Sequence, residues 1–299
     1  MVTTTFSVQH SMISLVLAVL AMVGDISSWI VGTDIDMRLP YDKYDTLEVG
    51  NPLVFHDDGS VECQPDVTFK QASKLFNNTK TKLISNGFNS TPCVVDPLST
   101  FCTTAYKTIP QAVKQCNIVG MQFDYEWNGG VFGTCNVNPT KITNFTLMLN
   151  YIQRSVGGNF TVSADVGNCI FQITPWVDAA IFRQNSNLLI NTMSYHTPMF
   201  CTIDLWKHDA HVITKLWKIN ASQVRLGFGL FSKNHGNYGS LVDNCSHKTK
   251  CHCNGYPYVT DTMAYEIYSF ARSQGFRGIF PWAASYDSYN RSILSFIQT

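Results

Sequence analysis

Eight short apolar runs recur along this chain, most of them followed by a longer stretch with helical spacing. The runs cover residues 29–34, 46–55, 82–87, 120–126, 160–165, 188–195, 224–230 and 278–283. Helical periods cover 67–77, 109–116, 142–156, 177–183, 211–219, 260–274 and 292–297. Strands that alternate with helices build βαβ units around a parallel sheet, because each parallel strand must be reached through a crossover. Eight strands in 299 residues match the size of a (β/α)8 barrel of the α/β class, here a single domain over 28–299. An open doubly wound sheet uses the same elements. No G-x-G-x-x-G follows any of the strands, which weakens a dinucleotide-binding reading. The stretch 232–258 interrupts the rhythm. It is polar, rich in Gly and Cys, and follows the seventh strand, so it reads as a disulfide-stapled loop at the rim of the barrel mouth.

Composition narrows the class. Hydrophobic residues make up 45% and charged residues 14%, enough apolar surface for a large core. Lys plus Arg and Asp plus Glu are 21 each, so no basic surplus exists to hold a phosphate backbone, and nucleic acid is not an expected partner. Residues 12–23 form an apolar run too short for a bilayer span of roughly 20 residues. The run fits a secretory core of about 7–15 residues, with Gly24 and Ser27-Ser28 as small residues near a cleavage point, although only His10 supplies positive charge ahead of it. Residues 1–27 are therefore read as a signal peptide, with a short buried helix as the alternative. No second apolar run is long enough to span a bilayer, so no membrane is expected after cleavage. The expected location is extracellular, or else a lysosome or another secretory compartment.

Ten cysteines agree with that route. Cys93 with Cys102, and Cys245 with Cys251 or Cys253, are candidate local disulfides. Cys245, Cys251 and Cys253 with His252 and His247 are an alternative zinc set. Acceptor sequons for N-glycans stand at Asn77, Asn89, Asn144, Asn159, Asn220, Asn244 and Asn290. Asn159 reads as the start of a buried strand and is set aside.

The chemistry concentrates in Gly120-Met-Gln-Phe-Asp-Tyr-Glu-Trp127. Side chains alternate along a strand, so Gln122, Asp124 and Glu126 share one face and Met121, Phe123 and Tyr125 the other. In a parallel barrel the apolar face packs on helices. The polar triplet then points inward, with Glu126 nearest the C-terminal mouth. Burying two carboxylates without a cation is costly, so the pattern calls for a function; a solvated edge strand is the plain alternative. Coupled carboxyls suit general acid catalysis, because an ionised Asp124 raises the apparent pKa of Glu126.

These residues resemble glycoside hydrolase family 18, the chitinases and their relatives. The family's fourth strand reads D-G-x-D-x-D-x-E; here the stretch is Val119-Gly120-Met121-Gln122-Phe123-Asp124-Tyr125-Glu126. The sixth-strand M-x-Y-D appears as Met193-Ser194-Tyr195-His196. The seventh-strand segment appears as 226–230 without its proline, and G-x-x-x-W as Gly278 to Trp282. The resemblance implies substrate-assisted hydrolysis of β-linked N-acetylglucosamine with retention. Glu126 would protonate the glycosidic oxygen, Asp124 would hold the acetamide N–H, Tyr195 would bind the acetamide oxygen, and Trp282 would floor the sugar. Gln122, His196 and Asp165 would join the substrate site, Asp165 as a cleft residue or a strand cap and His196 as a sugar contact or filler. A glutamine at 122 can hydrogen-bond Asp124 but cannot share a proton with it, so Gln122→Asp is expected to change the pH profile.

The partner so implied is an oligo- or polysaccharide containing N-acetylglucosamine, bound by a monomer without cofactor or metal. Consistently, no H-E-x-x-H or G-x-S-x-G occurs. Three alternatives stay open: an endo-β-N-acetylglucosaminidase acting on N-glycans, a carbohydrate-binding lectin without activity, and a structural barrel. The changes at Val119, Gln122 and His196 keep the lectin in view. Asp34 and Asp36 read equally as mouth or turn residues. Trp127, Trp176 and Trp206 are sugar platforms or core.

Overall fold

A computed structural model describes residues 25–30, 41, 44–77, 81–87, 91–124, 138–167, 175–194, 203–229, 252–253, 256–257 and 261–282. The strands are β1 (Asp25–Ile30), β2 (Thr46–Val49), β3 (Leu53–Phe55), β4 (Val61–Cys63), β5 (Lys82–Asn86), β6 (Gly120–Phe123), β7 (Thr161–Val166), β8 (Leu188–Thr192), β9 (Val224–Gly229), β10 (His252–Cys253), β11 (Tyr256–Pro257) and β12 (Gly278–Trp282). The helices are α1 (Val67–Phe76), α2 (Thr91–Val95), α3 (Thr100–Cys116), α4 (Pro139–Val156), α5 (Ala179–Gln184), α6 (Asp204–His211) and α7 (Asp261–Ser273). Eight strands close a parallel barrel in the order β1-β12-β9-β8-β7-β6-β5-β2, and β3–β4 and β10–β11 are separate antiparallel pairs. The expected (β/α)8 architecture is the one observed.

Each of the eight expected strands lies on a barrel strand. Two differ instructively. The run 46–55 splits, because Gly50 turns the chain at φ +55° and Leu53–Phe55 then pairs with Val61–Cys63 outside the barrel. The first strand begins at Asp25, so residues 25–27, read from the sequence as the end of a leader, form the first half of β1. The helix expected over 109–116 reaches back to Thr100, where the Ser99 hydroxyl accepts from the Cys102 N–H and supplies a cap that periodicity alone misses. The helix expected over 211–219 begins at Asp204 and continues as a π-helix over Val212–Leu216. The helix expected over 292–297 lies outside the described residues.

Strand alternation sorts the barrel into two layers. Met121, Phe123, Val162, Ala164, Val166, Leu188, Ile190, Leu226 and Phe228 are buried on the helix-facing side. They meet buried faces of α3 and α4, including Ile109, Val113, Phe145, Leu149 and Ile152. Gln122, Ser163, Asp165, Asn191 and Arg225 occupy the alternate positions and fill the lumen, all 2% exposed or less.

Gly278 and Gly120 are among the glycines required sterically. A Cβ on Gly278 would stand 1.8 Å from the Asp25 carbonyl oxygen, and one on Gly120 would stand 2.6 Å from Thr161 Oγ1. Gly278 also sits between Asp25 and Arg225 in one cross-strand row, where its missing side chain lets Arg225 reach Asp25.

Two disulfides are described. Cys93–Cys102 is one of the local pairs the spacing suggests. Cys63–Cys116 spans 53 residues and ties β4 to the end of α3. Closing a loop of that length restricts the unfolded chain by about 4 kcal/mol on the chain-entropy account. The side chains of Cys245, Cys251, Cys253, His247 and His252 lie outside the described residues.

Gly278→Ala is expected to destabilise the barrel by about 3 kcal/mol, because the clash is with backbone that cannot rotate away. Urea unfolding of the variant beside the native chain measures this; an unchanged midpoint would contradict the close approach of β1 and β12.

Candidate active site

The lumen carries a connected row of polar side chains. Gln122 Nε2 on β6 donates to Asp165 Oδ2 on β7 at 2.8 Å. Asn191 Nδ2 on β8 donates to Asp165 Oδ1, also at 2.8 Å. Arg225 on β9 donates from Nη1 to Asn191 Oδ1 at 3.3 Å and from Nη2 to Asp25 Oδ2 on β1 at 2.6 Å. Arg277, just before β12, adds a 3.3 Å bond to the same Asp25 oxygen. The row crosses the barrel from β6 to β1, so five of the eight strands are cross-linked by charged or amide groups.

Electrostatics grade these carboxyls. Burial pushes Asp25 up, but the Arg225 and Arg277 guanidiniums outweigh it and hold the carboxyl below the usual aspartate range. Burial, and then the nearby Asp124 charge, push Asp165 well above its usual range, against the pull of Asn191, Gln122 and Arg225. Glu48 on β2 is 5% exposed, and its Oε2 has no hydrogen-bond partner. Burial first, and then Asp165 and Asp124, push Glu48 well above the usual range too.

Asp124 stands directly after β6 and is exposed. This corrects the expectation that the whole triplet of 122, 124 and 126 is buried in the lumen. Pairing with β7 ends at Phe123 opposite Ala164, so the chain leaves the sheet and delivers Asp124 to the mouth. A solvated Asp124 avoids the desolvation cost that a lumen carboxylate incurs. Gln122 is fully buried and its amide nitrogen is committed to Asp165. Asp165 is a lumen residue held by two amides, not a strand cap.

At the end of β8, Ser194 donates to Asp209 Oδ2 on α6 at 2.6 Å and bonds the Thr192 hydroxyl at 2.9 Å. Thr192 in turn accepts from the Gly227 N–H at 2.8 Å. That chain of bonds fixes the residue immediately before Tyr195. Trp176 and Trp206 are buried and belong to the core, and Trp206 Nε1 donates to the Gly227 carbonyl at 2.7 Å. Trp282 closes β12 opposite Gly229. Glu126, Trp127, Tyr195, His196, Asp34 and Asp36 lie outside the described residues, as does the side chain of Trp282.

Solved structures share this architecture. A chitinase from Rhizomucor miehei superposes with a TM-score of 0.67 at 12% identity, covering 92% of this chain and 99% of that one. A GH18 chitinase from Pseudoalteromonas aurantia gives 0.62 at 12% identity, covering 92% and 99%. A chitinase from Trichuris suis gives 0.63 at 10% identity, covering 92% and 99%. This chain has the chitinase fold. No family model matches the sequence, and no curated protein matches it. The barrel shape is thus shared at low side-chain identity.

Asp25, Glu48, Asn191 and Arg225 were not singled out from the sequence. A signal exists for two of them: Glu48 and Arg225 each interrupt an otherwise apolar strand run. Among the described residues, no group of three His, Cys, Asp or Glu is arranged to hold a metal ion, and no helix is long and apolar enough to cross a membrane.

The Arg225 and Asp25 side chains are 3% and 14% exposed, so removing one partner strands a buried charge. Arg225→Met is expected to cost about 3–5 kcal/mol, and Arg225→Met with Asp25→Asn to recover part of it. Asp25 has a depressed folded pKa, so its stabilisation is present above the unfolded value of 3.8 and is lost as pH falls through the folded value. The stability advantage of the native chain over Asp25→Asn should therefore narrow below that pH. Urea titrations across the acid range read both effects.

Proposed function

We propose that this chain is a secreted retaining glycosidase that hydrolyses β-linked N-acetylglucosamine oligomers or polymers, in the manner of family 18 chitinases. One observation carries the reading: Asp124 is exposed directly after the fourth barrel strand, above a buried polar lumen and two residues before Glu126. Catalytic groups of (β/α)8 enzymes stand at that end of the strands. The chitinase fold supports the same assignment.

Each residue has a role in this reading. Glu126 donates a proton to the glycosidic oxygen and later takes one from water. The substrate's acetamide oxygen attacks the anomeric carbon, the bond to the leaving sugar breaks, and an oxazolinium ion forms with retention after hydrolysis. Asp124 accepts the acetamide N–H and balances the positive charge. Tyr195 binds the acetamide oxygen, and the Ser194–Asp209 bond holds the residue immediately before it in the chain. Trp282 offers a flat apolar floor. Gln122 acts one step below, through Asp165. His196 contacts the sugar where the related barrels carry Asp.

The secretory part of the proposal has structural conditions. A leader must end before Asp25, because the Asp25 carboxylate joins β1 to Arg225. Asn77 and Asn220 are exposed and suit a glycan. Asn144 is less suited, since its amide nitrogen already donates to the Val95 carbonyl at 2.9 Å. Asn159 is exposed in the turn before β7, so burial does not exclude it as the sequence suggested. Asn89, Asn244 and Asn290 lie outside the described residues.

The second reading is a lectin on the same barrel, favoured by Val119, Gln122 and His196 at positions where the related motifs carry carboxylates. Release of reducing ends from N-acetylglucosamine oligomers separates the two. Native chain is expected to cleave and Glu126→Gln to lose at least about a hundredfold in rate, the usual contribution of a general acid. Binding without cleavage by both proteins would make the lectin the function. Neither binding nor cleavage would remove the substrate class, and N-glycan chitobiose cores would be tried next.

A further inference from the structure

Glu48 is the one described carboxyl in the barrel whose burial the lumen bonds do not account for. It sits on β2 opposite Trp29 of β1 and Ile84 of β5, at 5% exposure. Among the described residues, few charged or titratable groups share the lumen. β1 contributes Asp25, already held by Arg225 of β9 and by Arg277 ahead of β12. β7 contributes Asp165, and the end of β6 contributes Asp124. β8 contributes the neutral Asn191, and β5 contributes Lys82 only at its exposed N-terminal end. Among the described residues, no hydrogen bond or ion pair joins a cation to Glu48. Arg225, the buried cation among the described residues, spends its bonds on Asp25 and Asn191.

A second imbalance lies in the same lumen. Gln122 Oε1 is a buried acceptor without a partner, and Glu48 Oε2 is a buried carboxyl oxygen without one. A proton on Glu48 turns the second atom into a donor for the first, directly or across one water. An ionised Glu48 would leave both buried acceptors unpaired and a buried charge uncompensated.

We propose that Glu48 is a positioning residue held as a neutral carboxylic acid, whose O–H orients the Gln122–Asp165 pair beneath Asp124. Asp165 and Glu48 both resist ionisation, but Asp165 accepts two amide N–H bonds and lies near Arg225, so it is the one that gives up its proton first. Glu48 has no such support and keeps its own. One buried anion rather than two then faces Asp124, and the Gln122 amide is locked at both ends. The part of this inference that concerns activity rests on the glycosidase reading; the part that concerns the proton does not.

Two measurements separate those parts. The first is stability against pH for the native chain, Glu48→Gln and Asp165→Asn. A carboxyl with a raised folded pKa keeps its proton in the fold while the unfolded chain loses it above its ordinary value of 4.5. The unfolding constant of the native chain relative to Glu48→Gln should therefore rise tenfold per pH unit from about that point until Glu48 itself ionises. A flat difference would show Glu48 ionised in the fold and would overturn the proposal, as would a larger rise against Asp165→Asn than against Glu48→Gln. The second is cleavage of N-acetylglucosamine oligomers. Glu48→Leu, which removes the donor, is expected to lower kcat at least tenfold with KM little changed, and Glu48→Gln, which restores an N–H donor, to recover kcat to within about threefold of native. Full activity in Glu48→Leu would make the residue merely structural. If the native chain cleaves nothing, the glycosidase reading falls, while the pH-stability measurement still decides the Glu48 proton.

Discussion

The buried ion pair between Arg225 and Asp25 is the interaction on which the barrel's polar interior depends. Strands β9 and β1 are not neighbours; β12 lies between them. The pair forms because the intervening residue in that row is Gly278, which has no side chain. A glycine demanded by backbone proximity thus also opens the path for a guanidinium. Once Arg225 is anchored on Asp25, its third bond sets Asn191, Asn191 sets Asp165, and Asp165 sets Gln122. The energetic value of such a row lies less in net stability than in uniqueness. Replacing it with apolar groups of the same shape need not cost much, but breaking it at one point leaves buried groups unpaired.

From that row the site follows geometrically. Gln122 is buried at one end, and Asp124, two residues on, is exposed where β6 stops pairing. A barrel strand that carries an amide inside and ends in an exposed carboxylate presents function at its C-terminal end and spends its lower part on support. The Asp209–Ser194–Thr192 bonds do the same for the end of β8. The two strand ends are held by different means, a lumen network for one and a helix-borne acid for the other. Both arrangements place stiffness directly beneath residues proposed to touch the sugar.

The resemblance to chitinases is strong in shape and faint in sequence, with TM-scores of 0.62 to 0.67 among the chitinases described above at 10% to 12% identity. That contrast has a physical basis. The barrel asks for apolar residues outside, small residues where strands crowd, and some filling of the lumen, and many sequences satisfy all three. Gly120, Asp124, Met193 and Gly278 are positions at which this sequence matches the motifs it resembles. For Gly120 and Gly278 the reason is visible, since a Cβ at either would clash with a neighbouring strand.

What this sequence determined alone was the succession of strands and helices, the barrel class, the local Cys93–Cys102 bridge and the position of the acidic strand. All four are readable because they depend on neighbours in the chain: apolar periodicity, spacing, and alternation of faces. What only the tertiary structure decided were the Cys63–Cys116 bridge, the start of the barrel at Asp25, the exposure of Asp124, the commitment of Gln122 to Asp165, and the lumen roles of Glu48, Asn191, Arg225 and Asp25. Their partners lie 26 to 200 residues away, from Asn191 and Asp165 at 26 to Asp25 and Arg225 at 200. Local periodicity carries no record of such pairings. A single Glu in an apolar strand looks like a flaw until barrel closure brings it near Asp165 and Asp124, carboxyls far from it in the chain.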